Sequence, residues 1–312
     1  MPEYPEIVVY IEQLARMAQG RRLAQVRIAH PFLLRTAEPP ITVIEGSRLV
    51  ELQRLGKQIV FAFVCANTSE DNDACIDKDT LFLVLHLMIS GRLHWRKSGA
   101  SIRAKRNLAA LDFEHGTLVI SESSTQKRAS LHLVRGRKAL LAFQQGGLEI
   151  LEASLAAFHA AVTAENHTLK RTLTDPRILS GIGNAYSDEI LHRARLSPVQ
   201  LTKNLKDEEI ARLYEATRTV LVEWTTRLRA EAGTSLPDRV TAFHPEMAVH
   251  GRYNLPCPVC GTSVQRIRYA TKETNYCPTC QTGGRLLADR ALSRLLKSDW
   301  PRTLEELEAR GS

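Results

Sequence analysis

At 312 residues and 44% apolar content, the chain has room for two domains and a sizeable core. Its formal charge of +8 and pI of about 9.3 point to a polyanionic partner without naming one. No run of 18 apolar residues occurs, so no transmembrane helix is expected. The acidic start lacks the basic and apolar regions of a signal peptide. Six cysteines are too few for a disulfide scaffold in a chain this long. Four of them form two close pairs, which points to metal in a reducing compartment.

The chain opens Met1-Pro2-Glu3-Tyr4-Pro5-Glu6. Pro2 is small, so aminopeptidase removal of Met1 leaves a secondary amine at the N-terminus. An α-amine titrates at about 7.7–8.0, so a sizeable fraction is an uncharged nucleophile near neutral pH. Glu3 and Glu6 follow at once and can act as acid or base beside it. The ordinary alternative is the acidic first turn of a helix. Ile7, Val8, Ile11, Leu14, Ala15 and Met17 predict that helix over residues 5–20, stopped by Gly20.

Residues 22–135 read as short strands separated by turns. The runs are Leu23 to Ala29, Ile41 to Glu51, Gln58 to Val64, Thr80 to Met88, Leu108 to Phe113, Thr117 to Glu122 and Ser130 to Val134. Such spacing predicts an antiparallel β-sandwich. The acidic run from Ser69 to Asp73 reads as a surface loop, with Cys65 and Cys75 incidental. Lys57 follows Gly56 just before a strand, and Ile89 and Met88 sit at a strand end. Lys127 and Arg128 form a small basic turn.

Gly136 to Gly147 reads as a connection, after which the pattern turns helical: Glu149 to Val162, a start at Thr168 to Leu173, and residues 207–231. Between these lies Gly181-Ile182-Gly183-Asn184, a turn opening a helix whose free N–H groups and dipole favour an anion. Lys170 precedes Asn184 by fourteen residues, and Glu189 follows on the same helix. Cys257-Pro258-Val259-Cys260 and Cys277-Pro278-Thr279-Cys280 stand sixteen residues apart. Two such turns complete a tetrahedron around one structural zinc ion; four thiolates also suit iron. With four protein ligands the metal has no open position for chemistry. Leu287, Leu292, Leu295 and Leu296 suggest a short helix in the tail.

Taken together, the Pro-Glu start, the Lys-to-Asn turn element and the four-cysteine finger resemble the formamidopyrimidine-DNA glycosylase and endonuclease VIII family, over residues 2–282. The resemblance implies an α+β multidomain chain: a β-sandwich with its leading helix (1–135), a linker (136–147), a helix-two-turns-helix domain (148–248), a zinc finger (249–282) and an extension (283–312). It implies a bifunctional DNA glycosylase and AP lyase that removes oxidised bases, as a cytoplasmic monomer acting on double-stranded DNA with damaged bases or abasic sites. The catalytic set it implies is Pro2, Glu3, Glu6 and Lys57; the DNA-binding set is Ile89, Lys127, Arg128, Lys170, Asn184 and Lys272. Pro2 would attack the sugar C1′, Ile89 would fill the gap left by a flipped base, and the cations would grip phosphates. Cys257, Cys260, Cys277 and Cys280 would hold one zinc ion.

Three departures from the family pattern stand out. Ala129 occupies the usual place of a phenylalanine wedge, Lys272 that of a finger arginine, and the path from Thr234 to His250 is short. Lysine keeps the charge but loses the planar fork. The short path leans towards endonuclease VIII-like substrates. The alternative function is a non-catalytic binder of damaged or branched DNA.

Overall fold

The computed structural model describes residues 1–65, 79–102, 106–237, 244–269, 272–288, 295 and 299–311. It comprises two compact units: Met1–Gln145 with Trp224–Val240, and Gly146–Glu223 with Thr241–Ser312.

The first unit begins with helix α1, Tyr4–Ala18. Glu3 and Glu6 form a capping box, each side chain accepting the other's backbone N–H, and Pro5 sits in the first turn where its missing N–H costs nothing. Ile7, Tyr10, Leu14 and Ala18 recur at helical spacing and are fully buried. Gly20, at φ +79°, ends the element. Two side chains tie α1 to the stretch following the long helix: the Tyr10 hydroxyl donates to the Pro237 carbonyl (2.8 Å) and Gln13 Nε2 to that of Gly233 (2.9 Å).

Eight strands make two four-stranded antiparallel sheets. One sheet has the order β1-β6-β7-β5: Leu23–Ile28, Asn107–Phe113, Gly116–Glu122 and Gly91–Arg96. The other runs β2-β3-β4-β8: Arg48–Leu55, Gln58–Val64, Leu81–His86 and Ser130–Arg135. Strands β3 and β4 are apolar on both faces because both faces are covered. Ile59, Phe61, Phe63, Leu81, Leu83 and Leu85 enter the main core shared with α1. Val60, Ala62, Phe82 and Val84 meet Leu140 of helix α2, Arg137–Leu141.

Two features differ from the sequence expectation. Ile41–Ile44 is a 3-10 turn and the strand starts only at Arg48, because Gly46 takes φ +79° and redirects the chain. Strand β5 has no uniform apolar run: Leu93 is its one buried large apolar residue, between Arg92 and His94. Its pairing with β7 makes it a strand.

The second unit contains α3, Leu155–Thr163; α4, Leu169–Thr174; α5, Asn184–Arg193; and most of α6, Asp207–Ala232. Helix α3 starts later than the apolar pattern suggested because the Ser154 side chain accepts from Ala157 N and fixes the start there. Strands β9, Gln265–Tyr269, and β10, Lys272–Tyr276, form a hairpin followed by the short helix α7, Pro278–Thr282. A terminal helix α8, Leu304–Gly311, closes the chain. Several expectations lie outside the described residues: the Ser69–Asp73 loop, Cys75, the middle of the path from Thr234 to His250, and Leu292 and Leu296 of the tail. Among the described residues no helix is long and apolar enough to cross a membrane.

Candidate functional site

The first unit gathers a charged cluster around the chain terminus. Pro2, Glu3 and Glu6 are all buried. Glu6 Oε2 accepts the Glu3 backbone N–H at 2.8 Å, so Glu6 fixes where the helix, and hence the terminus, begins. Burial lowers the pKa of the terminal amine, carried here by Met1; Glu3 and Glu6 oppose that shift, while Arg92 and Lys57 add to it. The net effect favours an uncharged amine near neutral pH. Lys57 reaches this cluster because Gly56, at φ +62°, makes the tight turn between β2 and β3.

His86 and Arg92 belong to the same cluster, and motif reading had missed both as site residues. Burial, then the charges of Lys57 and the terminus, push the His86 pKa down to about 4. Its Nδ1 accepts the Met88 backbone N–H at 3.0 Å. The neutral ring therefore carries its proton on Nε2. His86 stands at the end of β4 and Arg92 on β5. Only the fold brings them to the terminus.

The turn between these two strands presents Ile89, which is 59% exposed. The turn is held tightly. Met88 takes φ +52°, and any Cβ on Gly91 would lie 2.2 Å from the Leu87 carbonyl oxygen. Ile89 is thus an apolar side chain held in solvent by a specified turn, not a buried strand end. Buried Glu122 reaches this turn and the basic loop alike. Its carboxylate accepts from the Ser90 hydroxyl (3.3 Å) and from the backbone N–H groups of Arg128 (2.9 Å) and Ala129 (3.1 Å).

In that loop Lys127 does not extend outward. Its ammonium donates to the carbonyls of Glu122 (2.5 Å) and Ser124 (2.7 Å), so reaching a duplex requires breaking both bonds. Arg128 lies on the exposed loop, with its guanidinium donating to Gln126 Oε1 (2.7 Å). Ala129 is buried in the core.

In the second unit, Lys170 on α4 points at the first turn of α5. Its ammonium donates to the Asn184 carbonyl (2.7 Å) and to Asp188 Oδ1 (2.5 Å). Asp188 is fully enclosed; its Oδ2 also meets His250 Nδ1 (2.7 Å) and accepts from Asn275 N on β10 (3.2 Å). Gly183, not Asn184, is the cap of α5; the Asn184 amide instead donates to the Glu273 carbonyl at 2.9 Å. An amide nitrogen carries two hydrogens, so this bond leaves capacity for a second acceptor. Glu189 is buried and accepts the N–H groups of Ala248, Val249 and His250 at 2.8–2.9 Å, anchoring the chain as it enters the finger.

Asp188 thus orients Lys170, and replacing it by Asn removes the charge that balances this ammonium. Breaking a buried pair costs on the order of 3–5 kcal/mol. We expect Asp188→Asn to lower unfolding stability by about 3 kcal/mol in urea titrations. A loss below about 1 kcal/mol would place the pair with weak surface bridges.

In the finger, the sulfurs of Cys257, Cys260, Cys277 and Cys280 lie within 4.8 Å of one another. The 257–280 and 260–277 separations are 3.9 and 3.4 Å. Zinc–sulfur bonds of about 2.3 Å at tetrahedral angles place sulfurs roughly 3.8 Å apart, so the four residues fit one structural zinc ion. Gly261, at φ +77°, permits the turn after the second ligand. Arg266 stacks on Tyr253 at 3.9 Å, and both Arg266 and Arg268 pair with Glu273. Lys272 opens β10 opposite Tyr269, but its side chain lies outside the described residues.

Comparison with known proteins matches three successive segments. Residues 1–138 match the N-terminal domain of formamidopyrimidine-DNA glycosylase, 149–233 its H2TH domain, and 254–283 the zinc finger found in FPG and IleRS. The formamidopyrimidine-DNA glycosylase of Thermus thermophilus is 32% identical over 291 residues, covering 91% of this chain and all of that one. The chain belongs to the formamidopyrimidine-DNA glycosylase family. Another family member, from Heliobacterium modesticaldum, is 31% identical across 90% of this chain and all of its own. An uncharacterised glycosylase-like protein of Mycobacterium tuberculosis is 40% identical over 151 residues, 48% of this chain and 94% of its own. Among solved structures, the MutM (Fpg) protein of Thermus thermophilus aligns with a TM-score of 0.70 at 33% identity, covering 90% of this chain and 98% of that one. The Lactococcus lactis Fpg bound to abasic-site DNA aligns at 0.76 with 21% identity, over 90% and 99%. The formamidopyrimidine-DNA glycosylase fold, with its antiparallel sheets, H2TH helices and four-cysteine finger, is therefore the fold of this chain.

Proposed function

We propose that this chain is a DNA glycosylase and AP lyase of base-excision repair, using the Pro2 amine on double-stranded DNA that carries an oxidised base or an abasic site. The observation that carries the reading is buried Pro2 set against the helix-starting pair Glu3 and Glu6, with the Met1 amine just before it held below its ordinary pKa by burial and by the charges of Arg92 and Lys57. An amine in that setting is a ready nucleophile, and membership of the formamidopyrimidine-DNA glycosylase family supports damaged DNA as the substrate class.

The steps follow from the residues. Flipping the damaged nucleotide costs a few kcal/mol, least where pairing is already weak. Ile89 takes up the vacated stacking space. With Met1 removed, the Pro2 nitrogen lone pair forms a bond to C1′ and the base departs with the glycosidic electrons and a proton. Glu3 serves the proton transfers at the sugar, and Glu6 holds the Glu3 backbone in place. Because Pro2 is a secondary amine, the ring-opened adduct is a cationic iminium. That cation acidifies the C2′ proton, whose removal expels the 3′ phosphate and nicks the strand. Lys57, Arg128, Lys170, Asn184 and Lys272 bind phosphates, so affinity falls steeply with salt. The domain boundaries at 135, 147, 248 and 282, a monomeric state and a cytoplasmic site of action are part of the same reading.

Borohydride reduction of the protein on duplex DNA with an abasic site, followed by mass spectrometry, tests it. The expected product is a stable adduct on Pro2 with Met1 absent. No adduct from correctly processed protein would overturn the lyase assignment and favour a non-catalytic damage binder.

A further inference from the structure

We propose that His192 is a positioning residue for the metal centre: its imidazole Nε2–H donates a hydrogen bond to the Cys257 sulfur of the zinc-loaded finger. Four thiolates around a divalent ion leave the site with two net negative charges. Cys257 and Cys277 are 2% and 0% exposed, so water cannot solvate that charge. Donors inside the protein must do so. The finger's own backbone supplies some: Val259 N lies 3.5 Å from the Cys257 sulfur and Cys280 N lies 3.4 Å from that of Cys277.

His192 adds a donor from outside the finger. It sits in the last turn of α5, 65 residues before Cys257, with Nε2 3.3 Å from the sulfur. The residue is buried, so the contact is not a passing surface encounter. Sulfur bound to zinc has no proton to give, so the imidazole must be the donor. The same helix carries Asn184 and Asp188, which bind the β9–β10 hairpin through Glu273 O and Asn275 N. Gln281 of α7 completes the attachment: its Nε2 donates to the Leu196 carbonyl (2.9 Å) and its Oε1 accepts from Cys277 N (2.8 Å). The metal is thereby linked to the helix that holds the Lys170 partners, and His192 makes the one link that touches a ligand atom directly among these contacts. This inference rests on the metal-site reading and is independent of the Pro2 chemistry.

The test is made on the whole chain loaded with cadmium-113. A proton–cadmium correlation through the hydrogen bond is expected from the His192 Nε2–H; its absence from a fully loaded sample overturns the proposal. Substitution gives a second readout. Loss of an outer hydrogen-bond partner typically weakens metal binding 10–100-fold. His192→Phe fills the volume without a donor, and we expect zinc transfer to a chelator to accelerate about 10-fold. His192→Gln keeps an N–H at similar reach and is expected to stay near the parent rate. In the cobalt-substituted protein, the sulfur-to-cobalt charge-transfer band should move to lower energy in the Phe variant only. Equal behaviour of the two variants overturns the proposal, as does a parent cobalt spectrum showing the imidazole itself as a ligand.

Discussion

Pro2→Gly is expected to lower the lyase rate and borohydride trapping by about 100-fold, equivalent to about 2.7 kcal/mol of barrier. Glycine is also small, so Met1 remains removable and an amine is still present. What changes is the chemistry of the adduct. A secondary amine condenses to an iminium that is cationic at every pH. The primary amine of glycine gives an imine that must capture a proton before it can withdraw electrons from C2′. The pyrrolidine ring also blocks rotation about the N–Cα bond, which fixes the direction of the nitrogen lone pair. Glu3→Gln keeps the shape and removes the proton-transfer group; base removal should fall about 10²–10⁴-fold. Full lyase activity in both variants would sink the mechanism.

The pH profile gives an independent reading. The nucleophile is the neutral amine, so the rate should rise with pH and level off near the amine pKa. In the chain that retains Met1, burial lowers the pKa of the terminal amine and Arg92 and Lys57 add to the shift, and the Pro2 amine freed by Met1 removal is expected to shift in the same direction. Removing the Lys57 charge withdraws a repulsion from the ammonium form. Its pKa then rises, and the rising limb in Lys57→Gln should move to higher pH. A loss of amplitude with no movement would assign Lys57 to phosphate binding alone.

Much of this site is legible in sequence because its parts are local. Pro2, Glu3 and Glu6 share one helical start; Lys170 and the Gly-Ile-Gly-Asn turn share one short segment; the cysteines come in pairs whose spacing is their geometry. The residues that escaped notice act at a distance in sequence. His86 and Arg92 reach the terminus through sheet pairing, and Glu122 looks like an ordinary strand end until it is found buried under Ser90, Arg128 and Ala129. Lys127 illustrates the converse. Its charge suggested an outward reach, but two nearby carbonyls offer bonds that need no partner molecule. For the fold, short continuous apolar runs identified the fully covered strands and missed β5, because pairing and not apolar content decides an edge strand.

Removing the metal should abolish tight DNA binding and leave the β-sandwich folded. The core around the finger consists of Val249, Cys257, Val264 and Cys277, with Cys280 against it. Most of that cluster is the metal site itself, so without the ion the hairpin keeps only a small apolar core, chiefly Val264, Ile267 and Tyr276. Burial raises the pKa of the Cys277 and Cys280 thiols while hydrogen bonds lower that of Cys260, and zinc binding, which requires four thiolates, releases the protons that remain. Structural zinc contributes about 10–16 kcal/mol to a site of this type, comparable to the stability of a whole domain at about 5–15 kcal/mol. Loss of the hairpin removes Glu273 O from Asn184 and Asn275 N from Asp188, which frees the groups that orient Lys170. We therefore expect chelator-treated protein to bind abasic-site duplex at least about 100-fold more weakly in gel-shift titrations, in line with the loss of several phosphate contacts. Far-UV circular dichroism should retain the sheet signal of the first unit, whose buried core of α1 and two sheets contains none of the finger's residues. Added zinc should restore binding, and Cys277→Ser should not be rescued. Undiminished affinity after verified metal loss would separate the finger from DNA binding and leave the phosphate grip to the Lys170 and Asn184 turn alone.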